Sequence, residues 1–151
     1  MGFGNLATTI IMFIAVLLVA TGVIVSLRTN IDQTQSSMKA QADMLNNQIK
    51  TSLTITQSNY TVGTTTVYAI NNGKTTLKLE KIDTFLDAEF IPRNETNRTI
   101  TLEPSTDTTN PGLWDPDEVV KVEIYKTLGA GEHHVALTTQ YGTKDEELFS
   151  T

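Results

Sequence analysis

Residues 6–27 read LATTIIMFIAVLLVATGVIVSL and contain no ionisable side chain. Thirteen of these 22 residues are Leu, Ile, Val or Phe. As a helix, the stretch would be about 33 Å long, which is enough to cross the hydrocarbon core of a bilayer. A buried helix of a soluble domain rarely runs so far without a charge, and a cleavable signal peptide usually has a basic start and a shorter apolar stretch. The stretch therefore predicts an uncleaved transmembrane helix, which we assign to residues 1–27.

Residues 28–50 continue the helical pattern as an amphipathic stalk. Apolar side chains recur every seven residues, and no Gly or Pro interrupts them. The neighbouring seam positions carry Thr or Gln, so a stable two-stranded coiled coil is not expected from this segment alone. The stalk is either a solvated spacer or a surface that packs against other helices. The apolar positions are Ile24, Ile31, Met38 and Leu45, widened by Ala42 and Ile49.

At Thr51 the hydrophobic period changes from helical to alternating. Gly and Pro separate short runs rich in β-branched and aromatic residues, and the Asn-Asn-Gly-Lys sequence at Asn71–Lys74 is a hairpin signal. About seven such strands predict an antiparallel β-sandwich over residues 51–142 that folds on its own, followed by an acidic tail at residues 143–151. The predicted runs are Leu53–Ile55, Thr64–Ile70, Leu77–Leu79, Asp83–Ile91, Thr99–Leu102, Val119–Tyr125 and His134–Tyr141.

Composition excludes several classes of protein. Eleven Lys and Arg against 17 Asp and Glu give a net charge of −6, and no basic cluster is present, which argues against a nucleic-acid binder. The chain has no Cys, so disulfides, iron–sulfur clusters and thiolate zinc sites are ruled out. Residues 51–151 carry eight basic and fifteen acidic side chains. The predicted β-domain is therefore acidic.

Two features bear on the orientation of the chain in a membrane. Arg28 and Lys39 follow the apolar stretch, and the positive-inside tendency alone would place that side in the cytoplasm. Three sequons begin at Asn59, Asn94 and Asn97, which are the candidate N-glycosylation sites of an exported domain. The sequons, the high Thr content and the absence of Cys together favour an extracytoplasmic β-domain in a prokaryote.

Acidic side chains near residue 115 could in principle bind calcium or act in acid–base catalysis. Asp115, Asp117 and Glu118 match no calcium-loop spacing, and a catalytic pair needs a pocket that perturbs it. The run 145–147, Asp-Glu-Glu, indicates solubility only. We interpret both groups as solvated surface.

His133 and His134 are the only histidines, and they are adjacent. Neighbouring side chains of a strand point to opposite faces, so the two imidazoles are not expected to share a metal ion. The sequence also contains no nucleophile elbow, P-loop or dinucleotide-binding fingerprint. It predicts a protein that is not an enzyme and has no catalytic, cofactor or metal site.

Trp114 is the only tryptophan and precedes the run Val119–Tyr125. It could be a binding hot spot or a plug at the end of the sandwich, and the plug is the more common use. Thr- and Tyr-rich strands with few charges would offer an open sheet face or edge for self-association and for binding an envelope protein, with Tyr68 and Thr139 as candidate residues. The alternative is that these strands pair internally and their hydroxyls face water.

Four short segments, together with the apolar start Met1-Gly2-Phe3, carry a family resemblance. They are Ala69–Gly73, Ile82–Pro92, Trp114–Glu118 and Gln140–Thr143. These features resemble the archaeal flagellar (archaellum) stator proteins, called proteins F and G, and are closest to protein F. The resemblance implies a single membrane helix followed by an immunoglobulin-like β-sandwich in the archaeal pseudo-periplasm.

The same resemblance implies a structural role, anchoring the rotary archaellum motor to the surface layer. Its implied partners are the S-layer protein, stator protein G and further copies of the chain. The resemblance carries over no contact residues, because no short motif in this sequence marks them.

A filament subunit, either a pilin or an archaellin, is the alternative, because such proteins share a Trp-x-Pro turn before a strand. Their precursors carry a basic leader that ends in Gly and is removed by a peptidase. Here Met1-Gly2-Phe3-Gly4 offers no Lys or Arg, and Asn5 stands where bacterial type IV pilins have an acidic residue. The sequence therefore favours a membrane anchor with an intact N-terminus.

Overall fold

The computed structural model describes the backbone of residues 2–151 and the side chains from residue 4 onward. Its first element is the helix α1 (Gly2–Lys50), whose 49 residues extend about 73 Å. The helix is long and apolar enough to cross a membrane. The hydroxyls of Thr8 and Thr21 donate to carbonyl oxygens one turn earlier, at 2.9 and 2.7 Å. These bonds satisfy polar groups that lipid could not.

The chain divides into two compact units, and the second comprises Met44–Thr151. The end of α1 belongs to this unit because a turn of the sandwich bonds to it: the Lys74 amide donates to the Lys50 carbonyl oxygen at 2.7 Å. The sequence pattern changes at Thr51, whereas the compact unit begins almost two turns earlier.

Within residues 2–151, eight strands form two four-stranded antiparallel sheets. The first sheet has the order β1-β2-β6-β5, and the second has the order β4-β3-β7-β8. The first contains β1 (Thr54–Thr61), β2 (Thr64–Ile70), β5 (Arg98–Leu102) and β6 (Val119–Tyr125), and the second contains β3 (Asp83–Leu86), β4 (Glu89–Ile91), β7 (Glu132–Thr138) and β8 (Lys144–Ser150).

The core lies between the sheets and follows the alternation in the sequence. Val120, Val122 and Ile124 of β6 are fully buried, and Val135 and Leu137 of β7 are buried opposite them in the second sheet. Alternate side chains of a strand point to one face, so each strand supplies the core with every second residue. The predicted fold class, a long apolar helix followed by an all-β sandwich, is confirmed.

The C-terminal residues 143–151, predicted as an acidic tail, instead contain a strand. β8 pairs with β7 from Glu132↔Ser150 to Thr138↔Lys144. Phe149 of β8 is buried in the core. The sequence pattern did not indicate this strand, because charged residues occupy both of its faces. Edge strands tolerate such charges.

The run Asp83–Ile91, expected as one strand, is a tight hairpin of β3 and β4. Asp87 and Ala88 form its turn with φ of 53° and 64°, in the left-handed region. Asp tolerates this conformation better than most residues. The turn brings the Asp87 carboxylate back to β7, where it accepts a hydrogen bond from the His134 amide at 3.0 Å.

Candidate functional site

The two segments 69–73 and 114–118 meet where β2 ends and β6 begins. Trp114 is fully buried, and its indole nitrogen donates to the Glu118 carbonyl oxygen at 2.8 Å. Its backbone exchanges two hydrogen bonds of 2.9 Å with Leu77. We call Asn71, Trp114, Asp115 and Glu118 the Trp114 cluster. The plug role of Trp114 stays a prediction.

Asn71 is a buried polar residue that sequence reasoning treated only as part of a turn. Its amide nitrogen donates to the carbonyl oxygens of Thr75 at 2.9 Å and Trp114 at 3.0 Å, and its amide oxygen accepts from the Gly73 amide at 3.1 Å. A buried Asn needs such partners, because an unpaired amide in the core is costly. The side chain therefore ties the hairpin turn to the Trp114 segment.

Two of the three carboxylates near residue 115, those of Asp115 and Glu118, are buried, in contrast to the solvated surface that the sequence indicated, whereas Asp117 is exposed. Glu118 is 2% exposed and accepts from the backbone amides of Thr108 and Thr109, at 3.1 and 3.3 Å, and of Asp115, at 2.9 Å.

Asp115 is 4% exposed and uses both carboxylate oxygens. It accepts from the Thr76 hydroxyl at 2.5 Å and from the Asn110 amide at 3.0 Å. Through these bonds the side chains of Asp115 and Glu118 organise the loop at residues 103–118. Within residues 4–151, no three His, Asp or Glu side chains lie where they could hold a metal ion.

His133 and His134 bind different partners. His133 lies between two acceptors, with Nδ1 2.7 Å from the Asp87 carboxylate and Nε2 3.0 Å from the Gly129 carbonyl oxygen. His134 lies 3.5 Å from the Glu146 carboxylate. The hydrogen bonds to Gly129 and to Asp87 raise the pKa of His133 above its ordinary value of 6.5. We call Asp87, Gly129 and His133 the His133 cluster.

The two self-association candidates do not lie on open edges. Tyr68 is on β2, which is paired on both sides, with β1 and with β6. Thr139 follows β7, is buried, and its amide donates to the Thr143 carbonyl oxygen at 2.8 Å. The expectation of an open strand edge at these residues is therefore corrected, because strand order depends on long-range pairing and the edges are β1, β5, β4 and β8. Self-association through the sheet face that carries Tyr68 stays a prediction.

The three sequons lie in different surroundings. Asn59 is exposed on the edge strand β1, and Asn94 is exposed in the turn between β4 and β5. Asn97 is half-buried, and its side-chain amide donates to the Asn94 side-chain oxygen at 2.6 Å. Asn59 and Asn94 are thus the more accessible candidates for modification.

Comparisons with known proteins agree with this architecture. A model of the archaeal-type flagellin family matches residues 2–147. No curated protein sequence matches the chain significantly. The archaellum periplasmic stator protein FlaG from Sulfolobus acidocaldarius has a similar structure, with a TM-score of 0.52 at 21% identity, covering 66% of this chain and 99% of that chain. The stator complex of FlaF and FlaG from the same organism gives a TM-score of 0.51 at 19% identity, over 64% and 87% of the two chains. These structural likenesses establish a shared fold.

Proposed function

The chain belongs to the archaeal-type flagellin family, and on this premise we propose that it is a membrane-anchored stator protein of the archaellum, of the F and G type. The family consists of structural proteins of archaeal motility. The prediction that the chain is not an enzyme is therefore confirmed by its family. Its work is mechanical: to hold a β-sandwich at a fixed place in the cell envelope.

The shared sandwich is the main observation in favour of a stator role. The likeness covers almost the whole of the FlaG chain, and within this chain it covers two thirds, about the share that the β-sandwich occupies. The chain also has an apolar segment suited to a membrane span. A stator must connect the membrane to an outer layer, and this division of the chain supplies one element for each task.

The proposed partners are stator protein G, the S-layer protein and further copies of this chain. The complex of FlaF with FlaG supports a G-type partner, because a chain of that complex has a similar structure to this one. The edge strands β1, β5, β4 and β8 carry the backbone groups through which another sheet could pair. The self-association surface is therefore better sought at these edges than at Tyr68 or Thr139.

We place residues 1–27 across the cell membrane and the sandwich on its outer side, in the pseudo-periplasm. The chain has no native Cys, so single-cysteine variants give a clean test. Val62→Cys lies at a hairpin tip where the side chain is 96% exposed, and Gly4→Cys serves as the matched control near the other end of the span. An impermeant maleimide applied to intact cells should label Val62→Cys and spare Gly4→Cys. Labelling of Gly4→Cys alone would reverse the topology.

A filament subunit remains the second candidate, because the matching family is that of the flagellins and its match includes α1. The apolar side chains of α1, such as Leu6, Phe13 and Leu18, are more than 60% exposed. In a filament such helices would pack against each other instead of against lipid.

Shearing archaella from cells that carry a tagged chain separates the two candidates. A stator protein should stay with the membrane fraction, and its deletion should leave filaments assembled but cells unable to swim. A filament subunit should be a main component of the sheared fraction, with its N-terminus shortened when measured by mass spectrometry. That result would replace the stator proposal with the filament role.

A further inference from the structure

A cavity of about 200 Å³ opens beside β5 and the turn that precedes it. Leu79 and Ile100 supply apolar lining, and Arg93, Arg98, Glu80 and Glu95 supply charged lining. Glu80 and Glu95 are exposed, whereas Arg98 is only 5% exposed. The cavity thus combines a surface opening with one deeply buried cation.

Arg98 connects the two sheets. From β5 in the first sheet, one terminal nitrogen donates to the Ile82 carbonyl oxygen at 2.6 Å, and the other donates to the Thr84 hydroxyl on β3. These bonds use two of the five N–H donors of the guanidinium. Both acceptors are neutral, so the positive charge itself is not balanced by them.

No carboxylate lies within ion-pair distance of Arg98 among residues 4–151. Asp83 is the nearby acid, and it already binds Arg93 at 2.7 Å. A buried cation without a counter-ion is unfavourable in a low-dielectric interior. Burial, reinforced by the neighbouring Arg93 and partly opposed by Asp83, lowers the pKa of Arg98, which is the direction expected for a buried charge that makes no ion pair.

We propose that this cavity, the Arg98 pocket, binds the carboxylate of an Asp or Glu side chain presented by a partner protein. A guanidinium presents its free donors as a planar fork that fits a carboxylate. The apolar lining of Leu79 and Ile100 suits the methylene stem of such a side chain. The volume admits one side chain, and the exposed Glu80 and Glu95 disfavour a dianion such as phosphate. This inference goes beyond the stator role and does not depend on it.

The test is an NMR titration of the isotope-labelled full chain in detergent micelles. The probe is N-acetyl-glutamate α-amide, and the neutral control is N-acetyl-glutamine amide. The glutamate probe should shift the NMR signals of the Arg98 Nε–H and of the Ile100 and Glu95 amides, with a titration midpoint in the millimolar range. This midpoint should be about tenfold or more lower than the midpoint for the glutamine probe. Equal responses to both probes, or none, would overturn the proposal. Tighter binding of inorganic phosphate would overturn the assignment to a carboxylate.

Two variants sharpen the result. Arg98→Lys keeps the charge but loses the fork, so its affinity for the glutamate probe should fall about tenfold or more. Lys126→Gln is the control, because Lys126 pairs with Glu89 outside the pocket and should leave the titration unchanged. A folded Arg98→Lys protein that binds as well as the unmodified chain would contradict the proposal. The titration of the unmodified chain decides the question even where the variant does not fold.

Discussion

Two polar clusters fasten connecting segments to the sandwich, and they do so in opposite ways. The Trp114 cluster is buried, and its carboxylates accept hydrogen bonds from neutral amides and a hydroxyl. The His133 cluster is more open, with Asp87 41% exposed, and depends on an ion pair. Water can replace a lost partner at an exposed site but not at a buried one. The buried cluster should therefore dominate folding stability, and the exposed cluster should make it depend on pH.

The largest effect is expected at the centre of the buried cluster. Trp114→Ala should lower the free energy of unfolding by about 3–5 kcal/mol, because it removes a fully buried aromatic side chain and leaves a cavity. Urea unfolding of the full chain in micelles, followed by circular dichroism, measures the loss. Trp114→Phe is the control that keeps most of the packing and should lose less. A loss below about 1 kcal/mol for Trp114→Ala would contradict the plug role.

The sequence predicted the parts of this fold that depend on local periodicity. The alternation of Val120, Val122 and Ile124 identified a core strand before any partner was known. It could not give the strand order, because β2 pairs with β6 about 50 residues away, and nothing local encodes that pairing. For that reason the sequence left open whether Tyr68 lies on a sheet face or at an edge.

Glu118 should give the next largest effect. Glu118→Ala removes the acceptor of three backbone amides, of which that of Asp115 is buried, and should cost about 2–3 kcal/mol of unfolding free energy. The matched control is its exposed neighbour Asp117, where Asp117→Asn keeps a residue that tolerates the φ of 67° and should change stability by less than about 0.5 kcal/mol. Similar losses of unfolding free energy for both variants would contradict a specific stabilising role of the buried Glu118 carboxylate.

The burial of polar residues in the candidate site could not be predicted from the sequence. Asn71, Arg98 and Glu118 belong to residue types that usually lie on the surface, and a single sequence does not mark the exceptions. Asn71 stood in a hairpin signal, which explained its presence without requiring burial. Only the tertiary fold shows that Arg98 reaches from β5 to β3.

Substituting one glycine beside each cluster tests how tightly the backbone is packed there. A Cβ atom at Gly73 would lie 2.5 Å from the Ser52 nitrogen and 2.7 Å from the Lys50 carbonyl oxygen, so the backbone would have to move. Gly73→Ala should cost about 1–3 kcal/mol. Gly129→Ala, in the His133 cluster, meets no atom within 4 Å and should be close to neutral. The free energies of unfolding of the two variants should be measured side by side. Equal losses would contradict the expected difference between the two sites.

The smallest effect belongs to the His133 cluster and changes with pH. Hydrogen bonds to Gly129 and Asp87 raise the pKa of His133 in the folded state, so folding favours the protonated form. Its stabilisation is fully present below the unfolded pKa, near 6.5, and is lost as the pH rises through the higher folded value. The Tm difference between the unmodified chain and His133→Asn should therefore be larger at pH 5.5 than at pH 8.5. His134→Asn, which loses only a long contact to Glu146, should show a weaker dependence. If the Tm difference for His133→Asn stays constant or grows towards pH 8.5, the imidazole is neutral in the folded protein. The contrast between a buried cluster that sets stability and an exposed cluster that titrates would then be wrong.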